Sequence, residues 1–201
     1  DITLLERHQL TSGTTWHAAG LIMQLRSTHS LTEIAKYNVE LYSTLESETG
    51  VATGFKQNGT LGVARTKDRM HETKSMATIA KSFDIETEII TPSEAKDLYP
   101  TLNKECIEGA IYIPKDGQTN PVDTTMSLIA GAKKLGVSVH ENIEVIDLKQ
   151  NPDQSFTVFT KNEEINCEKL VIACGLWTRS LASKLGINVP LYPAEHFYVV
   201  T

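Results

Sequence analysis

No run of apolar residues in this sequence approaches the roughly 20 needed to cross a bilayer, and none reads as a signal peptide. Clustered cations are missing too. The 19 basic residues are outnumbered by 25 acidic ones, and the net charge of −6 argues against a nucleic-acid surface. Cysteine is scarce: Cys106, Cys167 and Cys174 form no C-x-x-C pair and show no metal-ligand spacing. Their odd number reads as reduced core thiols in a reducing compartment, with no metal expected. There is no internal repeat, low-complexity tract or disordered linker. A hydrophobic fraction of 40% and a charged fraction of 22% are those of a globular chain with a core to bury. The G-x-G-x-x-G fingerprint is also absent, since Gly59-Thr60-Leu61-Gly62 has the wrong spacing. The chain starts at Asp1, without an initiator Met and already within a strand-like run. The expectation is a fragment that lacks a first strand and its glycine turn.

What is present begins immediately. Ile2-Thr3-Leu4-Leu5 is a short apolar run closed by Glu6-Arg7. An apolar strand ending in a carboxylate is how the second strand of a dinucleotide-binding βαβ unit ends, where the acid accepts from a ribose hydroxyl. An apolar tetrapeptide followed by Glu is common, so the weight falls on what comes next. Leu10-Thr11-Ser12-Gly13-Thr14-Thr15-Trp16-His17-Ala18-Ala19-Gly20-Leu21 is small and hydroxyl-rich. Such a segment leaves backbone N–H groups uncovered for a pyrophosphate.

The rest of the chain alternates helices and strands. Apolar positions within 31–49 form a helical stripe, introduced by Thr28-His29-Ser30 and stopped by Gly50. Strands are expected at 54–57 and 60–65, joined as a hairpin by Asn58-Gly59. A helix follows at 67–82, a strand at 86–91, a short helix from Pro92, a strand at 110–114 and a loop at 116–121. A third strong helix is expected at 122–135, with Gly136 just past its end. Strands are then expected at 137–140, 143–149, 156–160 and 164–167. The nearly all-apolar run 169–173 reads as a buried central parallel strand that ends at Cys174-Gly175, with a helix from about Trp177. Alternation along 197–201 reads as a last strand, with His196 and Tyr198 on one face.

The Thr-Ser-Gly-Thr-Thr-Trp-His-Ala-Ala-Gly-Leu run at 11–21 resembles the flavin-attachment segment of sarcosine and dimethylglycine dehydrogenases. These are FAD enzymes of the D-amino-acid-oxidase-like superfamily. The resemblance continues through Gln24-Leu25-Arg26, Glu48-Thr49-Gly50, Gln57-Asn58-Gly59, Leu98-Tyr99-Pro100 and Pro114-Lys115-Asp116-Gly117. It extends to Ala173-Cys174-Gly175-Leu176-Trp177 and to Glu195-His196-Phe197-Tyr198-Val199-Val200-Thr201, and so spans the chain in order. The implied fold class is α/β (α+β overall): an incomplete Rossmann-like FAD-binding domain at 1–50 and 118–186, with an inserted antiparallel-sheet substrate domain at 51–117 and 187–201.

The resemblance also implies roles. Glu6 and Arg7 fall at the ribose end of the cofactor. Ser12, Gly13, Thr14 and Thr15 line the phosphate and ribose path, and Trp16, His17, Ala18, Ala19, Gly20 and Leu21 form the flavin-attachment segment. His17 would carry FAD covalently through the flavin's 8α-methyl carbon. Such a tether prevents dissociation and raises the ring's reduction potential. Val145 would meet the adenine through its backbone, and Gly175 and Trp177 would pass close to the flavin. His196 is the catalytic candidate beside the substrate amine, since an imidazole titrates near neutrality and can hold or accept a proton. Tyr198 is the second candidate. Relatives have His, Gln or Ala between these two positions and often a further His before them; here Phe197 and Glu195 stand there.

The implied reaction is oxidative N-demethylation of a small N-methyl amino acid, sarcosine or dimethylglycine, by hydride transfer to the flavin. An electron-transfer flavoprotein or oxygen would take the electrons, and a further domain outside this chain would hand the one-carbon unit to tetrahydrofolate. A cationic partner is needed for the substrate carboxylate, and Arg26 is available by sequence. The implied location is the cytoplasm for a bacterial source and the mitochondrial matrix for a eukaryotic one. Two alternatives stand beside this reading. One is a regulatory relative, similar to the pyruvate dehydrogenase phosphatase regulatory subunit, which lacks the Trp-His pair. The other is an FAD oxidase of glycine or D-amino acids that holds its cofactor noncovalently.

Overall fold

The computed structural model describes residues 1–199. In chain order the elements are β1 (Thr3–Leu5), β2 (Leu21–Ile22), α1 (His29–Thr49), β3 (Thr60–Ala64), α2 (Lys67–Ser82), β4 (Glu88–Ile90), α3 (Pro92–Leu98), β5 (Gly109–Ile113), β6 (Gly117–Gln118) and α4 (Pro121–Lys134). They continue with β7 (Ser138–His140), β8 (Val145–Gln150), β9 (Phe156–Thr160), β10 (Glu164–Cys167) and α5 (Thr178–Ala182). The chain forms two compact units, one of residues 1–14 and 135–201, the other of residues 15–134. The fold is α/β.

In the first unit β1 pairs in parallel with β7, Leu4 opposite Val139. The Glu6 N–H extends the ladder by donating to the His140 carbonyl. β8, β9 and β10 form an antiparallel meander. Its first turn is built by Asn151, whose N–H donates to the Ser155 carbonyl, and by Asp153, which accepts from the Ser155 N–H and hydroxyl. Those two bonds hold the Asp153 carboxyl below its ordinary range. Among the described residues of this unit, Leu148, Val158 and Ala182 are the buried apolar ones.

In the second unit β5 lies between β3 and β4, antiparallel to both. As the central strand it is buried on both faces. Ile111 and Ile113 pack with Ala77 and Ala80 of α2 and with Ile85, while Ala110 packs with Ile90 and Ala95 of α3. Thr66 caps α2 by accepting from the Arg69 N–H, and Thr91 and Glu94 form a reciprocal capping box on α3. α1 lies against α4, where the Thr49 and Ser127 hydroxyls share a 2.6 Å hydrogen bond. The Lys134 ammonium donates to the Glu48 and Thr49 carbonyls, neutralising the negative end of α1.

Three expectations are corrected. The hairpin at 54–65 does not form: β3 pairs with β5, and Lys56 bridges Gln118 instead. A two-residue type I′ turn needs positive φ at both central residues, and of this pair only Gly59 has it. The Gly59 N–H donates to the Asp116 carbonyl, so the flanks of Asn58-Gly59 follow different long-range partners. The run 169–173 is neither a strand nor buried, and Val171 is 85% exposed. A strand exists by pairing, and among the described residues nothing pairs with it. Residues 197–199 are likewise not a strand, so strand alternation does not set His196 and Tyr198 on one face; Val200 and Thr201 lie outside the described residues.

Candidate functional site

The segment singled out by sequence runs from β1 through a 3-10 turn at Thr14–His17 into β2. In the first unit, Glu6 at the end of β1 uses Oε1 to accept the His8 N–H, 2.9 Å away. The Leu10 N–H donates to the Glu141 carboxylate, and the Ser12 N–H and hydroxyl both donate to the Gln9 carbonyl. These bonds hold a tight loop in which Thr11 adopts φ 69°, a left-handed conformation that a β-branched residue rarely takes. Strain of that kind, of order 1–3 kcal/mol, persists where surrounding contacts impose it.

The same unit brings three of the predicted residues together. The Arg7 guanidinium lies over the Trp177 ring, 4.1 Å from the centroid. A Cβ added to Gly13 would touch that same ring at 3.8 Å. Trp177 ends a 3-10 turn that begins at Gly175, where φ is +54° and a Cβ would meet nothing within 4 Å. Beside them Cys174 is exposed, as is Cys106 in the second unit, so neither is the core thiol expected. Partial desolvation still pushes the Cys174 thiol above its ordinary range, the Glu6 carboxylate adds to the shift, and an Ala173 backbone hydrogen bond and Arg7 oppose it. Val145 opens β8 opposite Thr160 and is half-buried, next to an irregularity that spans Ile146. His196 and Tyr198 are exposed in a segment without regular structure.

In the second unit Trp16 and His17 stand on the 3-10 turn with ring centroids 4.2 Å apart and planes inclined by 40°. Both are exposed, Trp16 at 57%. Ala18 and Ala19 are exposed, and the Ala18 N–H donates to the Thr15 carbonyl. Gly20 is buried, and its glycine identity is explained within the fold: φ is +73°, and a Cβ would overlap the Thr119 carbonyl oxygen. That oxygen belongs to the residue whose N–H donates to the Gly20 carbonyl. Leu21 is exposed on the two-stranded ladder of β2 and β6.

A family profile described as FAD dependent oxidoreductase, the DAO family, matches residues 1–201. The chain belongs to this family. Over 99% of its length it is 39% identical to the 4-methylaminobutanoate oxidase (formaldehyde-forming) of Paenarthrobacter nicotinovorans, covering 24% of that protein. Over its full length it is 38% identical to the mitochondrial dimethylglycine dehydrogenase of Rattus norvegicus, again covering 24% of it. Among solved structures, L-proline dehydrogenase from P. horikoshii superposes with a TM-score of 0.85 at 27% identity, covering 92% of this chain and 49% of that one. The chain thus spans about a quarter of the length of these curated relatives. Among the described residues no helix is long and apolar enough to cross a membrane.

One pair of buried polar residues in this DAO-family chain has no assigned role from sequence. Asp116 is fully buried, and its Oδ1 accepts from both the backbone N–H and the side-chain amide of Gln24, at 2.9 and 3.1 Å. Both residues sit in the runs that carry the family resemblance. An aspartate before a glycine reads as an exposed turn residue, and no local pattern announces a partner 92 positions away.

Proposed function

We propose that the chain is part of an amine oxidoreductase that oxidatively demethylates a small N-methyl amino acid, sarcosine or dimethylglycine, on covalently attached FAD. The observation that carries the reading is the Trp16-His17 pair on its 3-10 turn, the two rings 4.2 Å apart. The flavin, when bound, supplies the two-electron acceptor. His17 is the attachment residue, and the Trp16 ring beside it orients the imidazole and shields the linkage from water.

In this reading Glu6 accepts the ribose hydroxyls. Its Oε1 accepts from the His8 N–H, which fixes the carboxylate at the end of β1. Arg7 flanks it. Ser12, Gly13, Thr14 and Thr15 present small side chains to the phosphates, and the open space around Gly175 leaves its backbone approachable. Val145 meets the adenine through its backbone. These features fit the ADP half of FAD: an acceptor for hydroxyls, a cation, and backbone that no side chain covers. His196 holds or takes the proton of the substrate amine, and Tyr198 assists. Arg26, whose side chain is exposed, is the cation proposed for the substrate carboxylate. The FAD-binding domain is assigned to 1–50 and 118–186 and the substrate domain to 51–117 and 187–201. Electrons pass to an electron-transfer flavoprotein or to oxygen, and the one-carbon product to tetrahydrofolate on a domain outside this chain.

The test is the intact mass of the denatured full-length protein, with peptide mapping around His17. An added FAD mass on the His17 peptide, together with turnover of sarcosine or dimethylglycine, is the expected result. An unmodified His17 in a flavin-saturated protein sinks the covalent assignment. Replacement of His196 by Gln with turnover unchanged across pH removes its acid–base role.

A further inference from the structure

We infer that Asp116 is a positioning residue for the flavin-attachment segment, acting through Gln24 rather than touching the cofactor. The inference rests on the reading of His17 just given and deepens it. Three contacts tie the stretch that leaves His17 to one short loop. The Thr119 N–H donates to the Gly20 carbonyl; Leu21 and Ile22 pair with Gln118 and Gly117; and Gln24 donates twice to Asp116 Oδ1. Residues 20, 21 and 22 therefore meet 119, 118 and 117 in antiparallel register, and Gln24 reaches the Asp116 side chain just beyond that ladder. The stretch cannot slide, because Gly20 fits against Thr119 only without a Cβ.

The carboxylate is the deepest point of this clasp. Asp116 has no exposed surface, and its Oδ2 has no hydrogen-bond partner among the described residues. A buried, half-satisfied carboxylate is costly and calls for an explanation. Here it is that Oδ1 alone meets both donors of Gln24. A backbone N–H and a side-chain amide on one oxygen fix the position and the rotamer of Gln24 together. His17 lies seven residues upstream, so locking the exit of its segment limits where the imidazole can be when attachment occurs.

The geometry separates two substitutions. Asp116→Asn removes the charge but keeps an oxygen for Gln24 and alters the partnerless Oδ2 position, whereas Asp116→Ala removes the clasp. The experiment expresses the full-length protein as wild type and as these two variants. In folded material, total bound flavin and the fraction that stays attached after denaturation are measured, with amide hydrogen exchange across residues 18–24. The expected result is a covalent fraction at least five-fold lower in Asp116→Ala, with noncovalent flavin retained and exchange of the Gln24 amide at least ten-fold faster; Asp116→Asn behaves as wild type. A wild-type covalent fraction in Asp116→Ala overturns the inference. So does loss of attachment in Asp116→Asn, which would point to the charge instead. If Asp116→Ala does not fold, Gln24→Ala, which keeps the backbone bond, lowers the covalent fraction at least two-fold, and no change there overturns it. An unmodified His17 in wild type defeats the attachment reading rather than the clasp. In that case accelerated exchange confined to 18–24 in Asp116→Ala supports the clasp, and unchanged exchange overturns it.

Discussion

The Arg7 guanidinium stacks on Trp177, two residues 170 positions apart that the first unit brings within 4.1 Å. At a partly exposed site such a stack contributes about 0.5–1 kcal/mol. In a double-mutant cycle with Arg7→Met and Trp177→Leu, the unfolding free energies should show a coupling of that size. Trp177→Phe should retain most of it. A coupling of zero would mean that the two side chains are neighbours without mutual stabilisation.

Gly13 makes a separate prediction, because neither space nor backbone demands glycine there: an added Cβ would make ordinary contact with the Trp177 ring. Gly13→Ala should therefore leave the unfolding free energy within about 0.5 kcal/mol of wild type. If the bare backbone serves a phosphate, flavin incorporation in the full-length protein should still fall by about ten-fold, or roughly 1.4 kcal/mol. Denaturant unfolding and flavin content per chain, measured side by side, separate packing from cofactor approach.

Gly20 gives the opposite pattern. Its left-handed backbone and the Thr119 carbonyl both exclude a Cβ, so Gly20→Ala should destabilise by about 1–3 kcal/mol whether or not flavin is present. Urea unfolding of the flavin-free protein is the check, and a neutral result would mean that the 20–24 stretch can leave its register.

For Cys174 the prediction concerns pH. Desolvation, aided by Glu6, raises the folded-state pKa above that of an unfolded thiol. The folded state then binds the proton more tightly. The associated stability is complete below the unfolded thiol's pKa and is lost as pH rises through the folded value. Alkylation of Cys174 should titrate at a higher pH than that of a small free thiol, and Glu6→Gln should shift the profile part of the way back. A profile matching the free thiol would contradict the desolvated setting.

The elements that sequence located well are those whose signals are local. Thr66 before 67–82 accepts from the Arg69 N–H, and Gly50, at φ 73°, ends α1 where expected. The short helix expected from Pro92 forms as α3, where Thr91 and Glu94 make its capping box. Interactions three or four residues apart are written in consecutive letters. The errors share the opposite cause. Asn58-Gly59 carries a hairpin signal, yet the competing partner of β3 is the distant β5. The run 169–173 has a buried strand's composition, but composition supplies no partner strand.

By itself, the order of amino acids determined the helices, the caps and the likeness to DAO-family flavoenzymes, because periodicity, cap chemistry and motif resemblance are all properties of short stretches. Tertiary structure alone decided that Trp177 supports Arg7, that Gly20 answers to Thr119, and that Asp116 closes on Gln24. The physical reason is that hydrogen bonds and ring contacts form between atoms a few ångströms apart, and which distant residues reach that distance is set by pairing and packing across the whole unit.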